Sequence, residues 1–367
     1  MSLGTTEEKQ NKTALIAMSG GVDSSVAACL LLREGYDCRG VTMRLYRNAD
    51  IGLDQFRTCC SQRDIEDAAE VAYDLDIPFE VLDYTEKFKT QVMEKFIRVY
   101  EEGGTPNPCI DCNRFMKFDH LLEYAAANGI EYVATGHYAR VEQENGRFLL
   151  KKGRDASKDQ SYVLYMLTQR QLAHILFPLG ELTKEQARRL AEENGFVNAH
   201  KHDSQDICFV PDGDYAAFME SYTGRKHVPG DFLDEEGRAV GQHRGAACYT
   251  LGQRKGLGLA MGEPVYVCGK NMAENTVTVG KEASLFHSHL IADELNWIPF
   301  DTPPEEMRVS VCTRYHAKEQ TAVARILEDG RLQLDFDMPQ RAMTPGQSVV
   351  LYDGDLVLGG GTIREVF

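Results

Sequence analysis

The stretch Ser19-Gly20-Gly21-Val22-Asp23-Ser24-Ser25 decides how the first part of the chain is read. It stands between an apolar run, Thr13 to Met18, with the length of a buried strand, and an amphipathic stretch, Ser24 to Glu34, that reads as a helix stopped by Gly35. Two glycines let the backbone pass close to phosphate oxygens, and serine hydroxyls with unpaired N–H groups at a helix start form an anion site. A lone glycine pair would usually be an ordinary strand-to-helix turn, but the full string argues against that here. It lacks the Gly-Lys-Ser/Thr of a Walker loop, so γ-phosphate transfer of that kind is not indicated.

Outward from this loop, short apolar runs alternate with amphipathic stretches. Strands are expected at Cys38 to Leu45, Phe79 to Tyr84 and Glu131 to Ala134, and helices at Asp64 to Leu75, Glu86 to Tyr100 and Lys117 to Ala127. This alternation predicts an α/β fold, a parallel sheet with helices on both faces. Its ligand loops belong at the carboxyl ends of the strands, where Thr135-Gly136-His137-Tyr138 falls. From about Asp212 the runs shorten and are broken by Gly and Pro, as in Gly252 to Gly258. From about His289, alternating strands with turns at Asp329-Gly330 and Asp353-Gly354 predict antiparallel β structure closing into a small barrel. The expected division is therefore a nucleotide-binding catalytic domain over 1–212, a small β-rich linking domain over 213–288 and a C-terminal antiparallel β-barrel over 289–367.

Runs such as Ala27 to Leu32 and Val163 to Leu167 are far short of the ~20 residues that cross a bilayer, and the polar N-terminus lacks the apolar core of a secretory signal. A cytoplasmic protein is expected. In a reducing compartment its ten cysteines are more often core residues, metal ligands or catalytic thiols than a disulfide framework. The net charge of −16 opposes non-specific polyanion binding, yet Pro106 to His202 carries 13 Lys/Arg against 12 Asp/Glu, so the charge does not decide the partner.

Within Thr105-Pro106-Asn107-Pro108-Cys109-Ile110-Asp111-Cys112-Asn113, two thiols stand three apart in a loop just before a helix, a position that lowers thiol pKa and favours the reactive thiolate. A zinc knuckle is the main structural alternative, though one C-x-x-C without a second pair argues against it. A third thiol, Cys208, lies in His202-Asp203-Ser204-Gln205-Asp206-Ile207-Cys208-Phe209, where a buried apolar cysteine would be the ordinary reading. Asp23 has two readings, an acidic role near Mg²⁺ or phosphates and a helix cap.

The glycine–serine loop resembles the PP-loop of the ATP pyrophosphatase superfamily, whose members bind ATP, adenylate an oxygen and release pyrophosphate. Together with both cysteine strings, and with Ala134 to Tyr138, Lys158 to Tyr162, Tyr249 to Arg254 and Thr344 to Gln347, it resembles the tRNA-specific 2-thiouridylase family over nearly the whole chain. The resemblance implies ATP and Mg²⁺ as cofactors, tRNA and a sulfur-donating persulfide protein as partners, and 2-thiolation of the wobble uridine after adenylation of its carbonyl oxygen. It places Cys112 as the catalytic thiol and Cys208 as the persulfide carrier. ATP would lie on Ala17, Met18, Ser19, Gly20, Gly21, Val22, Asp23, Ser24, Met43 and Gly136. The tRNA would meet Asn107, Pro108, Cys109, His137, Lys158, Asp159, Gln160, Arg314, Tyr315 and Gln347. Many relatives carry Asp where this chain has Cys109, so that Cys109, Cys112 and Cys208 could instead hold an iron–sulfur cluster through three thiolates. Cys59-Cys60 also resembles a family string, with packing the preferred reading. The rivals are another PP-loop ligase or amidotransferase, which would not need the cysteine strings, and a catalytically idle tRNA-binding or sulfur-carrier protein.

Overall fold

A computed structural model describes residues 12–47, 50, 62–201, 207–210 and 212–367. Cys59, Cys60 and residues 202–206 of the Cys208 string lie outside the described residues. The chain opens with β1 (Thr13–Ala17), α1 (Val22–Arg33), β2 (Asp37–Arg44), α2 (Gln62–Asp74), β3 (Phe79–Asp83) and β4 (Tyr132–Ala134), followed by the hairpin β5 (Ala139–Glu144) and β6 (Arg147–Lys152) and the short β7 (Ile175–Leu176). Strands β3-β2-β1-β4-β7 form one parallel sheet in that order. Alternation along β1 feeds two cores. Ala14 and Ile16 pack on the side of α1 and α2, while Leu15 packs with Phe88, Phe96 and Leu121 on the other. A strand buried on both faces has to be apolar throughout, which is why the run Thr13 to Met18 shows no polar alternation.

Two helical stretches depart from the expected pattern. Residues 85–101 run as Thr85–Phe88, a π-helical Lys89–Met93 and Glu94–Glu101. The next stretch begins at Pro108, runs as Pro108–Asp111, becomes π-helical over Cys112–His120 and finishes as Leu121–Ala127. The expected start at Lys117 was nine residues late. Asn107 accepts a hydrogen bond from the Cys109 N–H at 3.2 Å and Pro108 follows it, so the cap and the first-turn proline start the helix before the cysteines. Both thiols are therefore helical, not in the preceding loop.

The middle of the chain forms a four-stranded sheet from Tyr266–Asn271, Thr276–Gly280, Gly230–Leu233 and Ala239–His243, in that spatial order. The last part is a closed antiparallel barrel of six strands, Phe286–Trp297, Leu332–Arg341, Gln320–Ile326, Glu306–Cys312, Ser348–Asp353 and Leu356–Val366, sealed by pairing of the first with the last. The hairpin β5–β6 leaves the first domain and extends the barrel sheet, with Lys151 opposite Leu356. No helix among the described residues is long and apolar enough to cross a membrane.

Candidate functional site

The loop after β1 is shaped by a close approach. Gly20 sits at φ +72°, and a Cβ there would lie 2.2 Å from the Asp64 carbonyl oxygen. Only glycine fits. Gly136, two residues after β4, also comes close to the start of α1, where a Cβ would meet the Asp23 carbonyl carbon at 2.7 Å and the Ser24 nitrogen at 2.8 Å. Ala17 ends β1, Met43 is next to last in β2 and Gly136 follows β4 by two residues, so all three lie at the carboxyl edge of neighbouring strands, the usual ligand edge of an open α/β sheet. The Ser19 N–H donates to Ser24 Oγ at 3.2 Å, and the Ser24 and Ser25 hydroxyls donate to Gly21 O at 3.0 and 3.1 Å. Thr42 Oγ1 donates to Met18 O, fixing the strand end below.

Asp23 does not cap α1, whose N-cap is Gly21 with no side-chain bond. Its carboxylate accepts from Lys184 Nζ at 2.8 and 2.9 Å and from the Tyr138 hydroxyl at 2.8 Å. On the other side of the loop Lys201 Nζ donates to Gly20 O at 3.0 Å while paired with Asp64 and Asp67. The Asn198 amide donates to the same carbonyl at 3.1 Å and to Ser25 Oγ at 3.0 Å. Its buried Oδ1 has no hydrogen-bond partner among the described residues. Lys184, Asn198 and Lys201 escaped the sequence reading. Lys184 opens a helix behind a Thr183–Gln186 capping box, a local signal for a helix start that says nothing of a carboxylate 161 residues away.

From Tyr138 the network continues toward the cysteines. Gln160 Oε1 accepts from the Tyr138 N–H at 3.0 Å. Asp159 accepts from the N–H groups of Gly153 and Ser161 and from the Ser161 hydroxyl, so it shapes its own turn. Burial raises the Tyr315 phenol to about 12, with Asp159 and Cys109 adding to the rise and a hydrogen bond to Gln160 opposing it, which puts all four residues in one neighbourhood. Arg314 is exposed. Gln347 reaches inward: its Nε2 donates to Thr105 O at 3.0 Å and Pro106 O at 3.3 Å, tying the barrel to the turn before Asn107. His137 is buried between Phe118 and Phe177, with Nδ1 2.7 Å from Thr135 Oγ1 and Nε2 3.4 Å from Lys117 Nζ. Both ring nitrogens are thereby engaged inside the protein.

The thiols differ from the expectation of a lowered pKa. Burial raises Cys112 to about 11; Lys117 pulls it down, and Cys109 and Asp111 push it further up. Cys109 is exposed, yet enough protein surrounds its sulfur for desolvation to raise it, again opposed by Lys117. Loss of water around the sulfur is the largest cause at both thiols. Asp111, between them, is buried and ion-paired with Lys95 at 2.7 Å. Cys208 is half-buried, its carbonyl accepts from the Tyr46 hydroxyl at 2.6 Å, and its neighbour Phe209 packs among Phe88, Phe96 and Phe218. Cys112 and Cys208 both pack against this one apolar core. Among the described residues no three His, Cys, Asp or Glu side chains converge to hold a metal ion. The three-thiolate cluster of Cys109, Cys112 and Cys208 therefore does not find its geometry here.

Comparison with known proteins covers the chain in three pieces. Residues 12–212 match the tRNA methyl transferase HUP domain, 216–281 the tRNA methyl transferase PRC-barrel domain, and 287–363 the aminomethyltransferase beta-barrel domain. Full-length relatives carry a different name from those domain descriptions. The tRNA-specific 2-thiouridylase MnmA of Moorella thermoacetica is 50% identical over 96% of this chain and 99% of its own. That of Acetivibrio thermocellus is 49% identical over the same shares, and that of Clostridium acetobutylicum is 46% identical over 96% of this chain and 100% of its own. A name shared by whole-length relatives says more about activity than domain titles, since fold alone does not fix the reaction.

Proposed function

Since the chain belongs to the tRNA-specific 2-thiouridylase family, matched end to end at close to half identity, we propose that it thiolates C2 of the wobble uridine in tRNA at the expense of ATP. The observation that carries this reading is the hydrogen-bonded path from the loop through Asp23, Tyr138 and Gln160, which leads to Tyr315 in the neighbourhood of Cys109. Another PP-loop ligase would have no use for the two cysteine strings.

ATP suits the loop. Gly20 and Gly136 let the backbone close up on Asp64 and on the start of α1, and bonds among Ser19, Gly21, Ser24 and Ser25 hold the shape of the loop. Lys184 and Lys201 bring two cations to its flanks. Mg²⁺, usually bound through phosphates and one or two carboxylates, would draw on Asp23 and neutralise charge on the departing pyrophosphate. The uridine must leave the stacked anticodon loop to reach the site, where Asn107, Pro108 and Tyr315 would meet it. Attack of the carbonyl oxygen on the α-phosphorus releases pyrophosphate and converts a poor leaving oxygen into AMP. The terminal sulfur of a Cys208 persulfide then bonds to C2 and AMP departs. The Cys112 thiolate attacks the inner sulfur, so the S–S bond to the transferred atom breaks and a Cys112–Cys208 disulfide forms. A persulfide-carrying protein reloads Cys208 after a dithiol reduces the pair. A cytosolic setting would supply that reductant.

The test is incubation of the protein with undermodified tRNA, ATP and a persulfide donor, followed by nucleoside mass spectrometry and AMP measurement. 2-Thiouridine formed with one AMP per sulfur supports the reading. AMP release without tRNA, or tRNA binding without either product, would favour the ligase or the idle carrier.

A further inference from the structure

The π-helical turn Cys112–His120 has a chemical consequence. A π-helix bonds i to i+5 and winds more residues into each turn, so residues five apart come closer to one face. In an α-helix of 3.6 residues per turn, Cys112 and Lys117 would point about 140° apart. Here Lys117 is the foremost cation acting on both Cys112 and Cys109. Its ammonium is fixed by His137. An ammonium only donates, so Nε2 of His137 accepts from it and Nδ1 carries the proton toward Thr135 Oγ1. Burial and the neighbouring cation both hold His137 well below its ordinary pKa, so the imidazole stays neutral and does not compete with Lys117 as a charge. We propose that Lys117, aimed by His137 and Thr135, is the positioning residue that provides the counter-charge for the Cys112 thiolate during sulfur transfer.

The surroundings support this assignment. On its own helix Cys112 faces Cys109 and Asp111, both of which oppose ionisation. Asp111 is neutralised chiefly by Lys95 from the helix 94–101, with Arg114 also favouring its charge and Glu294 of the barrel opposing it. Tyr315 lies near Cys109. The nearby cations Lys95 and Arg114 are thus directed at acids, which leaves Lys117 to act on the sulfurs. Even with Lys117 in place a thiol near 11 is ionised in roughly one molecule in ten thousand at pH 7, and losing the cation would shrink that fraction further.

The inference rests on Cys112 being the reacting thiol, and the experiment separates the two ideas. The rate of Cys112 alkylation by iodoacetamide in the folded protein is followed against pH by peptide mass spectrometry, with the half-exposed Cys268 as internal reference. This reads the Lys117–Cys112 coupling whether or not tRNA is thiolated. Lys117→Gln should move the Cys112 midpoint up by about one pH unit, the size expected on losing a nearby opposite charge. Lys117→Arg should restore most of it, and the Cys268 profile should not change. Thiolation should fall in Lys117→Gln and recover in part at higher pH. An unchanged Cys112 midpoint in Lys117→Gln, an equal rise in Lys117→Arg, or a parallel shift at Cys268 would each overturn the assignment. Normal coupling with no loss of thiolation in Cys112→Ser would overturn the role of Cys112 instead.

Discussion

Lys95→Met should destabilise the protein in a way that acid repairs. The Lys95 ammonium lies 2.7 Å from the Asp111 carboxylate, whose side chain is 9% exposed against 31% for the lysine. Removing one partner of a buried ion pair costs about 3–5 kcal/mol because the other charge is left without compensation; water reaching the lysine side reduces this to roughly 2–3 kcal/mol. For a domain of this size that corresponds to a fall in Tm of roughly 5–10 °C. Burial already holds the Asp111 carboxyl above its ordinary range, so keeping it ionised costs the fold free energy at neutral pH, and that cost disappears as pH falls through the raised folded value. Without Lys95 the folded value climbs further. The deficit relative to the parent should therefore be largest near pH 7.5 and shrink toward pH 5. Lys95→Met combined with Asp111→Asn should recover most of the loss at neutral pH. Differential scanning fluorimetry of parent, single and double variants at the two pH values provides the check. A deficit that is independent of pH, or a double variant as unstable as the single, would refute the reasoning.

Three further outcomes follow from the site. Gly20→Ala forces a Cβ against the Asp64 carbonyl at a positive φ, so tRNA-dependent AMP release should drop at least a hundredfold while tRNA binding, measured by filter retention, persists. Cys208→Ser should abolish persulfide loading, whereas Cys112→Ser should load sulfur on Cys208 yet fail in turnover; mass spectrometry finding persulfide on Cys112 alone would reverse the roles. Gln347→Ala removes two hydrogen bonds to the turn before Asn107 and should lower thiolation several-fold with ATP affinity intact, and an equal loss of ATP affinity would contradict a role at that turn.

The parallel sheet was legible because its strands are apolar and its helices amphipathic, and the phosphate loop because glycine and serine requirements are local. The barrel was legible from alternation and Asp-Gly turns. What escaped lies in long-range pairings. No local pattern tells that Lys184 meets Asp23 or that Gln347 reaches Thr105, since each partner looks like an ordinary surface residue. The start of the cysteine helix was readable from Asn107-Pro108, but the turn-forming composition before it masked the cap. The raised thiols were misjudged because a helix terminus can be seen in a sequence and desolvation cannot. His137 was correctly placed at the edge of the sheet, but its enclosure by Phe118 and Phe177 depends on residues from two other segments.

The hairpin 139–152 bears on how this protein can be taken apart. It leaves the nucleotide-binding half only to dock on the barrel, where Lys152 reaches Gly354 O, Arg140 pairs with Asp355, and Arg147 holds Ile298 O and Asp301. A chain shortened near Ser288 would keep this hairpin and its bonds to Gln169 and Glu181 but lose all its partners on the barrel. The stump would present an open strand edge with the apolar faces of Leu150, Tyr162 and Tyr165 beside it, the combination that drives edge-to-edge aggregation. Failure of such a fragment would then report on solubility before it reported on RNA. Shuffling experiments between relatives should exchange residues 139–152 together with the barrel as one cassette, because the boundary that matters to folding runs through the first domain and not after it.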